Sequence, residues 1–124
     1  MTVQQYILDQ PLALQEIMTI IRSWILDLGK HTEQKISNKV PQFYYYGPLC
    51  YLHANGDSVE LCFTKGFELM DEQKVLSAEG RKHVRSITFF SVAEAEEHED
   101  EIRSLLNEAA ILNEFQFKRK KKSK

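Results

Sequence analysis

The densest gathering of groups that could do chemistry is Glu94-Ala-Glu-Glu-His-Glu-Asp-Glu101, with six carboxylates and one histidine in eight residues. On a helix turning about 100° per residue, Glu94, Glu97, His98 and Glu101 fall on one contiguous arc, with Glu96 and Asp100 toward solvent. Crowded carboxylates are the ligand set hard cations prefer, and imidazole beside carboxylate also suits iron. Acidic residues in a first helical turn equally complement the helix dipole. His98 borders the apolar stripe of the same segment, where it would serve as a half-buried packing residue.

Two further groups stand out. Glu79-Gly-Arg-Lys-His-Val-Arg85 gathers cationic side chains after a glycine, so Arg81, Lys82 and Arg85 could hold an anion together with turn amides. The glycine spacing of a P-loop is missing, and the stem of Arg85 could instead cover apolar surface. The aromatic group Phe43, Tyr44, Tyr45, Tyr46 and Tyr51 could line a ligand groove on a sheet face turned away from the helices. It could equally divide between core and an interface with a partner or a second copy of the chain. For nucleophilic catalysis nothing assembles: there is no Gly-x-Ser-x-Gly elbow, and no histidine is brought clearly near Cys50 or Cys62. A non-enzymatic protein is the expectation.

These residues need elements to position them. Leu14, Ile17, Met18, Ile21, Trp24, Ile25 and Leu28 recur at spacings of three and four, which predicts a helix over 12–28 with Pro11 at its start and Gly29 just past its end. Residues 30–41 read as a polar connection. Gln42 to Tyr46 predicts a first strand, ended by Gly47-Pro48. Leu49 to Ala54 and Asp57 to Phe63 flank Asn55-Gly56, which predicts a two-residue type I′ hairpin with Leu52 opposite Val59 and Cys50 opposite Leu61. That register sets Cys50 and Cys62 on opposite faces, so a disulfide between them is not expected. A long connection over 66–81 contains a short helical turn near Asp71–Leu76, and Val84 to Phe90 forms a further strand. Ser91, with Glu94 three positions on, caps a second helix whose stripe is Ala95, Ile102, Leu105, Leu106, Ala109 and Leu112. The expected architecture is α+β: a two-layer sandwich with two helices on one face of a mostly antiparallel sheet.

The 124 residues suffice for one domain over 1–117 with a real core. The segment 118–124 holds six of the 16 basic side chains and is read as a disordered basic tail; the body carries 10 basic against 18 acidic residues, a net of −8. Such a tail serves solubility or meets an acidic partner, with no recognition element for specific nucleic acid. No apolar run approaches the roughly 20 residues of a membrane span, and no basic stretch leads into an apolar core at the N-terminus. A cytoplasmic protein with no membrane partner is therefore expected.

The order Val40-Pro41-Gln42-Phe43, Leu49-Cys50-Tyr51-Leu52, Val59-Glu-Leu-Cys-Phe63, Gly66-x-x-Leu69 and Gly80-Arg-Lys-x-x-Arg85-x-Ile87 resembles the YdhG-like bacterial domain family over roughly residues 5–112. The resemblance implies a frataxin-like fold, a two-layer α–β–α sandwich. It also implies an iron chaperone that holds iron weakly and exchangeably, with no tightly bound cofactor, and delivers it to an iron–sulfur assembly protein. Frataxins carry their acidic ridge on the first helix. Here that helix offers only Glu16 and Asp27, and the dense carboxylates lie on the second.

Overall fold

The structure is a computed structural model that describes residues 1–122. Helix α1, Val3–Leu8, was not expected. Thr2 caps it: its hydroxyl accepts from the Gln5 amide at 3.1 Å, and the Gln5 side chain accepts from the Thr2 amide at 2.8 Å. This reciprocal cap lets so short a helix form, and Val3 and Ile7 anchor it in the core. Helix α2, Leu12–Leu26, starts after Pro11 and buries Leu14, Ile17, Met18, Ile21, Trp24 and Ile25, the face its periodicity predicts. Arg22 ties the two helices to the sheet, donating to Gln4 of α1 at 2.8 Å and to Gln34 at 2.9 Å.

Five strands follow: β1 Thr32–Ser37, β2 Val40–Tyr45, β3 Pro48–Asn55, β4 Ser58–Phe63 and β5 Arg85–Phe89. They form one antiparallel meander in chain order, β1-β2-β3-β4-β5. The polar reading of 30–41 missed β1 because an edge strand with the sequence Thr-Glu-Gln-Lys-Ile-Ser buries little. Its hairpin turns on Asn38 and Lys39, both at positive φ (54° and 69°), the requirement of a type I′ turn. The expected type I′ turn at Asn55-Gly56 is different. Only Gly56 takes positive φ, 64°, and the centre is Gly56-Asp57, the pattern of type II′. Leu52 therefore opposes Leu61, and Cys50 opposes Phe63. A shift of two residues preserves the side-chain period, so each residue stays on its expected face. Cys50 lies on the core face and Cys62 on the other; both are free thiols and fully buried.

After β4 the chain makes a short 3-10 turn, Gly66–Glu68. A Cβ on Gly66 would stand 2.4 Å from the Arg85 Cβ and 2.7 Å from its backbone nitrogen, so only glycine allows this loop to press on β5. The helical turn expected over Asp71–Leu76 is absent. A non-helical turn stands there, the Asp71 carbonyl accepting from the Lys74 amide at 2.9 Å, and the Asp71 carboxylate accepts from the Val75 and Leu76 amides at 3.0 and 3.1 Å.

The single second helix is two. Helix α3, Val92–Glu97, is capped by Ser91 as expected, and helix α4 runs Glu99–Lys122, with His98 out of helical conformation between them. The expected frataxin-like α–β–α sandwich with two helices on the sheet is thus corrected: four helices accompany a five-stranded meander among the described residues. The core joins α1, α2, α3 and α4 to one sheet face, with Phe43, Leu52, Leu61, Phe63 and Phe89 below and Ile17, Met18, Ile21, Ile102 and Leu106 above. Each such side chain contributes about 1.5–3 kcal/mol by leaving water. The segment read as a tail from Lys118 continues α4 to Lys122; residues 123–124 lie outside the described residues.

Candidate binding site

The four tyrosines part company. In β2, Tyr45 shares the core face with Phe43, while Tyr44 faces the other way with Gln42. Burial, then the nearby Glu114 carboxylate, raises the Tyr45 hydroxyl above the usual tyrosine range. Between Phe43 and Tyr44 the register with β3 shifts, so that Phe43 opposes Cys50 and Tyr44 opposes Pro48. This bulge leaves Leu49 as the extra residue. The chain then takes φ 58° at Tyr46, a left-handed conformation uncommon for an aromatic residue, and φ 145° at Gly47. The bulge re-aims Tyr46 toward the end of the sheet.

There Tyr46 meets residues distant in sequence. Its ring lies 4.9 Å from that of His31, just before β1, and 5.2 Å from that of Phe117 on α4. The Tyr45 ring stands edge-on to it at 5.2 Å. The Lys35 ammonium sits 5.2 Å over the Tyr44 ring. Asn113 of α4 fixes the helix here by donating to the Pro48 carbonyl at 2.9 Å. The result is a concavity of about 410 Å³ walled by Tyr44, Tyr46, Phe117 and His31, with Glu33 and Lys35 at its rim. Flat walls with a few polar groups suit a flat ligand or side chain. Tyr51 is not part of it. It stands mid-sheet opposite Cys62, raised by burial and then by that neighbour. The sequence shows no signal joining residues 31, 35, 46 and 117, because only the fold brings them together.

The expected metal set is divided. Glu94 serves its helix cap, its carboxylate accepting from the Phe90 amide at 2.8 Å. His98 turns toward the core, its ring 6.4 Å from Phe89 and its Nδ1 3.9 Å from Glu101. Glu97 and Glu101 line a groove of about 710 Å³ together with Asp71, Glu72, Asp100 and Glu108. Asp71 and Glu108 act as struts there, Glu108 accepting from the Met70 amide at 2.9 Å. Among the described residues, no three His, Cys, Asp or Glu side chains converge as a metal-holding group.

The expected anion set is turned inward. Arg81 binds the Glu60 carboxylate at 3.3 Å and donates to the Ser86 hydroxyl at 2.6 Å. Burial pushes the Glu60 carboxyl up, but the Ser86 hydroxyl and then Arg81 outweigh it and hold it below its usual range. The Arg85 guanidinium donates to the carbonyls of Arg81, Lys82 and Val84, and Lys82 itself is exposed. Burial and then Glu60 push the Cys62 thiol up to about 12, which removes it as a nucleophile near neutral pH.

No helix among the described residues is long and apolar enough to cross a membrane. Comparison of the chain with protein-family models, with curated proteins and with solved structures finds no match.

Proposed function

We propose that the chain is a non-enzymatic binding protein whose binding surface is the aromatic corner of Tyr44, Tyr46, His31 and Phe117. The carrying observation is convergence: three separate parts of the chain supply rings to one concavity of about 410 Å³. Tyr46 is held there at φ 58°, and such backbone gathers at ligand clamps. The occupant this chemistry favours is a flat ring system, free or on a partner protein, with a polar edge for Glu33 and Lys35. Indole, quinoline and purine fragments are suitable probes. Tyr46→Ala or Phe117→Ala should weaken the best fragment tenfold or more in calorimetry, and Tyr51→Ala should leave it unchanged. Equal losses in all three variants would sink this assignment.

A second reading is exchangeable iron, carried to an iron–sulfur assembly protein. It draws on the resemblance to the YdhG-like family and on Glu97, Asp100 and Glu101 lining one groove. An open groove lined by several carboxylates suits a hard cation held weakly enough to pass on. Anaerobic calorimetry with ferrous iron should give saturable heat that survives excess magnesium and is lost in Glu97→Gln/Glu101→Gln. Heat fully removed by magnesium would rule iron out.

A further inference from the structure

We propose that α4 is a self-association helix, pairing antiparallel with α4 of a second copy of this chain about a two-fold axis near Ile111. The buried face of α4 is Ile102, Leu105, Leu106, Ala109, Ala110 and Asn113. Directly opposite runs a line of exposed residues, Asp100, Ser104, Asn107, Ile111, Phe115 and Lys118, all within about 40° of the Ile111 azimuth. Ile111 and Phe115 are 69% and 60% exposed, one helical turn apart at the middle of this line. An apolar pair so placed, on a helix whose other face already fills the core, lacks a cover.

The charges say what covers it. The first turn of α4 is Glu99-Asp100-Glu101, and residues 118–122 are all basic. The helix is therefore negative at one end, apolar in the middle and positive at the other. Two copies laid antiparallel bring the two apolar middles together and set each acidic end against the partner's basic end. Ile111 meets the partner's Ile111, Asn107 meets the partner's Phe115, Ser104 meets the partner's Lys118, and the acidic turn over 99–101 lies against the partner's basic run over 118–122. A two-fold contact of this kind is self-complementary and closes, so it gives a dimer and not a fibre. The acidic end is also a groove, about 710 Å³, with the exposed Met70 at its lip. It receives the lysine-bearing end of the partner helix, whose aliphatic stems pack on the apolar lip. The same carboxylates cannot hold these lysines and iron together, so dimer and iron-loaded groove exclude each other.

The test is sedimentation equilibrium of the full chain. The mass should rise from 14.5 kDa toward twice that value as concentration passes on the order of 10 µM. It should fall back in high salt, which screens the paired ends. Ile111→Asp, at an exposed site where the fold is indifferent, should hold the chain monomeric. The decisive arm is a charge swap. Asp100→Lys/Glu101→Lys is basic at both ends, and Lys118→Glu/Lys121→Glu/Lys122→Glu is acidic at both. Each should be monomeric alone, with unchanged circular dichroism, and the mixture should dimerise. A wild-type chain monomeric at all concentrations overturns the proposal. So does a dimer that ignores Ile111→Asp or the swap. A monomer that instead sediments with phosphatidylserine vesicles assigns the exposed helix to an anionic membrane surface and also overturns it.

Discussion

One helix serves two concavities of opposite construction. At its start, α4 contributes carboxylates adjacent in sequence, and the groove they line is wide and acidic. Near its end it contributes one ring, Phe117, to a corner whose other walls come from His31 and the β2–β3 connection. The first is dense in chemistry and loosely arranged. The second is sparse in sequence and closely arranged, with a bulge and a left-handed Tyr46 spent on aiming a single side chain. Charge density is a local property that a composition scan finds. Convergence depends on the fold, and convergence gives a site its selectivity.

The sharpest way to break this contrast is to damage the wall of the groove. Gly66→Ala drives a methyl group into the Arg85 backbone, so the loop carrying Met70–Val75 must lift. A loss of about 1–3 kcal/mol is expected, read as a lower thermal midpoint. Asp71→Ala removes the acceptor of two amides at the same wall. A loss of about 1–2 kcal/mol is expected, with faster hydrogen exchange at Val75 and Leu76. At the corner, Tyr46→Gly should be more stable than Tyr46→Ala by about 1 kcal/mol, because only the glycine accepts φ 58° without strain. Equal stabilities would remove backbone strain from the account of the corner.

A smaller effect separates both concavities from the sheet face opposite the core. Glu60 titrates below its usual range in the fold, so its stabilisation is complete above the ordinary carboxylate value and lost as pH falls through the lowered one. Stability should therefore drop on acidification below about pH 4.5, and Glu60→Gln should flatten that drop. On the same face, Cys62 should resist iodoacetamide at pH 8 until the chain unfolds, since its thiol is fully buried and raised to about 12.

Helix α2 and the β3–β4 faces were legible because burial imposes a period on them, and the Ser91 cap because its hydrogen bonds are local. The parts that escaped lack such a signal. Edge strand β1 buries too little to alternate clearly, and α1 is stabilised by a Thr2–Gln5 cap and two apolar anchors. The break at His98 lies inside an unbroken helical pattern. At the sites, Glu97 and Glu101 were legible as neighbours on an arc, but the use of Glu94 as a cap and of Arg81 and Arg85 as internal struts depends on the fold. His31, Lys35 and Phe117 were illegible as site residues because nothing in their neighbourhoods marks them.

The most direct test is an amide chemical-shift map of the isotopically labelled chain titrated with the flat fragments. The account predicts shifts that saturate together at His31, Lys35, Tyr46, Gly47 and Phe117. Shifts centred on residues 70–75 and 97–108, or scattered without saturation, would contradict it.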